Sequence, residues 1–148
     1  MNKKIGLYAG SFSPFHIGHL DIVRQAQMVF DDVEVIRAVN PDKKAAQSTL
    51  PEKFLRSMNV ACSSFSGLVT DLVKEYEVGD TDVTLIRGLR SGADLGYEQN
   101  LVAFMRNMHP QINVVFFLCG PKFQHISSSA LRGIRQFSET EYKKYAVE

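Results

Sequence analysis

The sequence predicts an α/β fold: one domain with a Rossmann-like parallel sheet of about five strands and helices on both faces. Three observations predict it. Short apolar runs alternate along the chain with segments of helical periodicity. The connections between them are short, as βαβ units require. Glycine-rich and charged clusters fall just after strand-like runs, at the carboxyl edge where such sheets take ligands. A chain of 148 residues suffices for one core, so residues 1–148 are expected to form a single domain.

The elements follow in order. Ile5-Gly6-Leu7-Tyr8-Ala9 is an apolar run and the first expected strand. Residues 19–30 place Leu20, Ile22, Val23, Ala26 and Phe30 at helical spacing. Strands are expected at 33–39, 60–63, 83–86 and 114–118. Residues 68–76 repeat apolar side chains at Leu68, Leu72 and Val73, and residues 97–108 bury some combination of Leu101, Phe104, Met105 and Met108. The serines at 127–129 open a helix running to 137, and 139–145 forms the last one.

Composition narrows the function. Hydrophobic residues make up 45% and charged residues 22%, as in an ordinary globular domain. A net charge of +1 argues against bulk electrostatic binding to nucleic acid or anionic membrane. The longest apolar run, Ile112 to Leu118, is too short to span a bilayer. Met1-Asn2-Lys3-Lys4 leads into a strand without a signal-peptide core, so a cytoplasmic protein is expected. Cys62 and Cys119 lie in apolar settings and are expected as reduced thiols.

The chemistry-bearing segments lie at the strand ends. Gly10-Ser11-Phe12-Ser13-Pro14-Phe15-His16-Ile17-Gly18-His19 joins the first strand to the first helix. A helix start offers free backbone N–H groups and the positive end of the dipole, an anion site. His16 and His19 lie where that anion would sit, but a histidine pair alone lacks the further ligands zinc needs. Arg87-Gly88-Leu89-Arg90 follows the strand at 83–86 and suits a polyphosphate clamp, because guanidinium is always charged and binds phosphate in a fork. Ser127-Ser128-Ser129 supplies hydroxyls and helix-start amides where one serine would do for a cap. Lys43 and Lys44 sit in a loop after Pro41-Asp42, from which a lysine could follow charge to a leaving group. Glu98 is read as a carboxylate near a helix start. His109 and His125 show no evident partner and receive no role.

His-x-Gly-His after a first strand resembles the nucleotidylyltransferase signature. The remaining segments make the resemblance narrower. Thr84 to Arg90, Asp94, Tyr97-Glu98, Val115 to Leu118 and Ile126 to Ser129 look like bacterial phosphopantetheine adenylyltransferases. Phe65-Ser66-Gly67-Leu68-Val69 is similar to that family's substrate-side loop. The resemblance runs from about Lys4 to Arg132.

It implies that ATP and 4′-phosphopantetheine give dephospho-coenzyme A and pyrophosphate. By this resemblance His19, Lys43 and Arg90 are the catalytic residues. Gly10, Ser11, Phe12, Gly18, His19, Arg90, Glu98, Phe123, Ser127, Ser128 and Ser129 bind ATP. Ser11, Ala38, Lys43, Leu68, Val69, Arg87 and Leu101 bind the pantetheine substrate. Magnesium is the expected cofactor, held by ATP phosphates and water rather than by protein ligands. A homo-oligomer, hexameric by resemblance, is expected, with neither nucleic acid nor membrane as partner. The acceptor is already an anion, so positioning and electrostatics carry the catalysis and no general base is required.

The sequence also departs from that pattern. Ser13 stands where the family usually has Asp, and Met105 where it usually has Asn. His16-Ile17 looks more like nicotinamide-nucleotide adenylyltransferases, and the helix after Pro51-Glu52 is short. Two alternatives therefore stand beside the main reading: an adenylyltransferase for another phosphate acceptor such as nicotinamide mononucleotide, and an inactive nucleotide- or coenzyme-A-binding module.

Overall fold

A computed structural model describes residues 2–40 and 49–148. Lys43 and Lys44 therefore lie outside the described residues. The predicted sheet is present. Strands β1 (Lys3–Gly10), β2 (Asp32–Ala38), β3 (Ala61–Phe65), β4 (Thr81–Leu89) and β5 (Asn113–Leu118) form one parallel sheet in the order β3-β2-β1-β4-β5. The chain steps outward from β1 to β3, then returns to the other side of β1 with β4. The order thus reverses between β1 and β4, and a crevice opens beyond their carboxyl ends.

Helices cover both faces, as predicted. Helix α1 (Ile17–Gln27) and α2 (Glu52–Ser57) pack on one, where Val23, Ala26 and Leu55 meet Tyr8, Val35 and Ile86. Helix α3 (Val69–Tyr76) and α4 (Gly92–Met108) pack on the other, where Leu72, Val73, Val102 and Met105 meet Leu7, Ile36 and Leu85. Consecutive strand residues thus alternate between the two cores: Leu7 faces α3 and α4, Tyr8 faces α1. Gly6, on the Tyr8 face, leaves no spare room: a Cβ there would stand 2.6 Å from Ile86 Cδ1 and 2.8 Å from the Phe30 ring.

Several boundaries move. Helix α4 begins at Gly92, not at 97, because Ser91 is extended and Asp94 in the first turn accepts from the Arg90 N–H at 2.8 Å. Glu98 consequently sits well inside the helix rather than at its start. Phe104 and Met108 are exposed, and with Tyr97 they form an apolar stripe on the outer side of α4. Strand β3 runs to Phe65, two residues past its expected end. Both cysteines are free thiols. Among the described residues no helix is long and apolar enough to cross a membrane.

After β5 a single 3₁₀ turn, Pro121–Phe123, leads to α5 (Ser128–Arg135) and α6 (Glu139–Lys143). Asp21 of α1 holds this return: its carboxylate accepts from Gly120 N at 2.9 Å, while Gln25 Nε2 donates to Leu118 O at 2.9 Å. The chain end then crosses the first loop. Ile17 N donates to Tyr145 O, Val147 N donates to Phe15 O, and His16 bridges Ala146 in antiparallel sense.

Candidate active site

The loop between β1 and α1 is built around its aromatic rings. Phe12 takes a left-handed backbone (φ 45°), which a non-glycine residue adopts only when its surroundings over-determine it. Its ring is buried, edge-on to Tyr8 at 5.0 Å and to His19 at 4.9 Å. Gly10 lets that ring fold back, since a Cβ there would lie 3.1 Å from Phe12 Cζ. Helix α5 latches the same loop: Ser128 Oγ donates to Pro14 O at 2.9 Å, and Arg132 donates to Ser13 O at 2.6 Å.

The start of α1 is not the open anion site the sequence suggested. His16 is the N-cap, and its Nδ1 accepts from Gly18 N at 3.1 Å and His19 N at 3.4 Å. His19 answers from the third helical position, its Nδ1 accepting from His16 N at 3.1 Å. This is a capping box made of two imidazoles. Ile17 N is spent on Tyr145 O and Leu20 N on His16 O. The free donors of the helix start are therefore consumed internally, and the two side chains stand in their place.

The rings stack, with centroids 3.6 Å apart and planes at 24°. Gly18 makes room for this, because a Cβ there would stand 2.9 Å from His16 Cε1. Burial lowers the pKa of His16 to about 4, with the Arg90 charge adding to the shift. Burial, then His16, then Arg90 push His19 well below its ordinary value. With each Nδ1 accepting a backbone proton, the hydrogen-bond network assigns both rings as neutral Nε2–H tautomers.

Two cavities meet at His19. The first, about 250 Å³, is lined by His16, Gly18, His19, Arg90, Phe123, Ile126 and Ser127, Ser128 and Ser129, with Tyr8, Ile22, Gly88, Leu89 and Cys119 behind them. The second, about 240 Å³, is lined by Gly10, Ser11, Phe12, Arg87 and again Tyr8, His19, Gly88 and Ser128. Both lie at the β1–β4 reversal of strand order. A third space, about 400 Å³, adjoins them at Gly88 and Arg90 and reaches Asp94, Tyr97 and Glu98.

Cations arrive here already held. Arg87 is gripped in a fork by Glu98, with Nε to Oε2 and Nη2 to Oε1 both at 2.8 Å, and its Nη1 donates to Ala9 O at 3.3 Å. One N–H on each terminal nitrogen remains for a ligand. Glu98, only 7% exposed, is thus the partner of Arg87 rather than a helix-start carboxylate. Arg90 rests on Asp94, with Nε to Oδ2 at 3.2 Å, on a more open surface. Arg90 lines the first cavity and Arg87 the second. At α5, Ser127 Oγ caps Ala130 N at 3.1 Å, which leaves the Ser128 and Ser129 amides without a partner among the described residues.

Of the pantetheine-side expectations, Ser11 and Arg87 line the second cavity, but the apolar ones are not gathered with them. Ala38 is exposed at the end of β2, and Leu68 is exposed just before α3. Val69 and Leu101 pack on the α3–α4 core, and none of these residues lines the cavities above. Lys43 lies outside the described residues. His109, expected without a partner, contacts Glu77 at 2.6 Å, and His125 sits edge-on to Tyr145. Sequence reasoning missed Tyr8, Ile126, Cys119 and the capping role of His16. For the last there was a signal: capping boxes place a side-chain acceptor three residues before its partner, and His16 and His19 have that spacing. Among the described residues no group of three or more His, Cys, Asp or Glu could hold a metal.

Residues 7–134 match the cytidylyltransferase-like family. Phosphopantetheine adenylyltransferase of Clostridium tetani is 36% identical over 139 residues, covering 90% of this chain and 84% of that protein. The enzyme of the same name from Streptococcus pyogenes is 37% identical over 147 residues, covering 95% and 88%. Among solved structures, nicotinic acid mononucleotide adenylyltransferase of Plasmodium falciparum, complexed with NaAD, superposes with a TM-score of 0.63 at 16% identity, covering 98% of this chain and 91% of that one. That likeness concerns the fold.

The histidine cap makes stability pH-dependent with a definite sign. The unfolded histidines bind protons near 6.5, but His16 does so only near 4 when folded and His19 is also depressed. Stability is complete above about 6.5 and is lost as pH falls from there, at up to ~1.4 kcal/mol per pH unit per histidine. Urea midpoints across that range are expected to fall with acid. His16→Asn keeps a capping acceptor and is expected to flatten the slope by about one proton; an unchanged slope contradicts the assignment.

Proposed function

Because the chain belongs to the cytidylyltransferase-like family, and within it to the phosphopantetheine adenylyltransferases, we propose that it transfers the adenylyl group of ATP to 4′-phosphopantetheine, giving dephospho-coenzyme A and pyrophosphate. The observation that carries this reading is the pair of cavities meeting at His19, one edged by α5 and Arg90, the other by Ser11 and Arg87. Transfer between two phosphates needs two anion sites sharing one wall, with the reacting phosphorus at the seam.

In this reading the nucleotide occupies the first cavity, its phosphates against the Ser128 and Ser129 amides and Arg90. The acceptor phosphate enters the second, against Ser11, the Phe12 amide and the two free N–H groups of Arg87. An oxygen of that phosphate forms a bond to the α-phosphorus of ATP, the bond from α-phosphorus to the bridging oxygen breaks, and pyrophosphate leaves. No proton has to move. His19 donates its Nε2–H to a non-bridging oxygen of the transferring group, as a fixed dipole. Lys43 is a further cation of the set by resemblance and lies outside the described residues. Magnesium, when bound, would be held by ATP phosphates and water rather than by these side chains, and would supply positive charge for the leaving pyrophosphate.

The buried Arg87–Glu98 pair supports this assignment of sides. It fixes a cation at the acceptor cavity before substrate arrives, so its ordering cost falls on folding rather than on binding. One observation favours a second reading. His16-Ile17 resembles the loop of nicotinamide-nucleotide adenylyltransferases, so another phosphate acceptor is the alternative to exclude. We also propose a homo-oligomer, supported by the apolar Tyr97–Phe104–Met108 stripe of α4; a monomer mass by light scattering contradicts it.

The test is pyrophosphate release from ATP, with magnesium and with chelator, against a panel of acceptors. Dephospho-coenzyme A is expected only with 4′-phosphopantetheine and magnesium; turnover of nicotinamide mononucleotide instead overturns the proposal. His19→Ala is expected to lower kcat by about 100-fold or more while the ATP dissociation constant changes by less than about fivefold. Equal losses in both would make His19 a ground-state phosphate ligand only.

A further inference from the structure

One polar group at the seam is not used by the reading above. Tyr8 lies near the end of β1, on the α1 face of the sheet, and is 5% exposed. Its ring is well placed, edge-on to Phe12 at 5.0 Å and to His19 at 6.2 Å. Its hydroxyl has no hydrogen-bond partner among the described residues. The oxygen is not among the sealed, unpartnered side-chain atoms of the described residues, so it opens onto the cavities that Tyr8 lines rather than onto packed protein.

The surroundings of this hydroxyl show where its partner comes from. Tyr8 lines both the α5-side and the Ser11-side cavity, with His19, Gly88 and Ser128 as the other shared walls. Gly88 keeps the space in front of it open. A Cβ on Gly88 would lie 3.2 Å from the phenol oxygen and 3.2 Å from Ile22 Cγ1, closing the seam. The glycine of Arg87-Gly88-Leu89-Arg90 thus exposes the tyrosine as well as spacing the arginines. Burial raises the pKa of the phenol, so it stays protonated and can donate. A phenolic O–H is a good donor to a phosphate oxygen, and a bond to an anion is stronger than one between neutral groups.

We propose that the Tyr8 hydroxyl is a substrate-contacting group, donating to an oxygen of the phosphate lodged between the two cavities. It stands beside the His19 ring. This rests on the adenylyl-transfer reading, in which the phosphate at the seam is the α-phosphate of ATP.

Tyr8→Phe tests this, because it keeps the ring and its packing and removes only the oxygen. Three readouts on the full chain separate the outcomes: kcat for pyrophosphate release, the dissociation constant of α,β-methylene-ATP by calorimetry, and the melting temperature. The variant is expected to lose about tenfold or more in kcat and several-fold in affinity for the analogue. Its melting temperature is expected to hold or rise, since an unpartnered hydroxyl contributes nothing to the free fold. Turnover and affinity within twofold of the parent overturn the proposal, and so does a fall in melting temperature with both unchanged. The analogue arm needs no acceptor. If the parent makes no dephospho-coenzyme A yet the variant binds the analogue more weakly, the function proposal fails and the Tyr8 contact stands.

Discussion

The reciprocal cap between His16 and His19 is the interaction on which the rest of the site depends. Each ring accepts a backbone proton at the start of α1, so neither is free to turn. The consequences spread outward. Gly18 must lack a side chain to admit the His16 ring. The Phe12 and Phe15 rings pack on His19, which commits the loop between them to one path. The remaining N–H at the helix start goes to the chain end, so residues 145–147 become part of the loop's support. A helix start that usually attracts an anion through its amides instead presents two neutral N–H dipoles of fixed direction. Fixed dipoles cost no reorganisation when charge develops.

The same logic governs the charged groups. Arg87 and Arg90 do not wait as flexible side chains; each is held by a carboxylate from α4, Glu98 deep and Asp94 near the surface. The cost of ordering them is met in the folded chain, and both side chains line the cavities. Because Arg87 and Gly88 are neighbours on one strand, they point to opposite faces. That alternation sends the guanidinium toward α4 and leaves the gap beside Tyr8 on the α1 side.

Much of this was legible in the sequence. The apolar runs around Leu7, Val35, Leu85 and Val115 are too short for helices and too regular to be loops, and they became the sheet. Ser11, Phe12, His19, Arg90 and the Ser127–Ser129 turn converge because strand ends converge in any parallel sheet of this order. What was not legible depends on side-chain partners from distant segments. Nothing local to Glu98 says that it will grip Arg87, eleven residues earlier and on another element. Nothing near His16 says that Tyr145 takes the next amide. Tyr8 read as an ordinary core residue of β1, and only the empty space beside Gly88 distinguishes it. Ala38, Leu68, Val69 and Leu101 rested on resemblance alone, and no periodicity could bring them to the cavities.

The central claim is the locked tautomer of the two histidines, and nitrogen NMR reads it directly. In the full chain labelled at the imidazole nitrogens, His16 and His19 are expected to show an unprotonated Nδ1 and a protonated Nε2 at neutral pH. That pattern should persist in mild acid, because burial holds both rings below the ordinary histidine range. A protonated Nδ1 on His19, or an imidazolium at that position at neutral pH, would contradict the cap and the role built upon it.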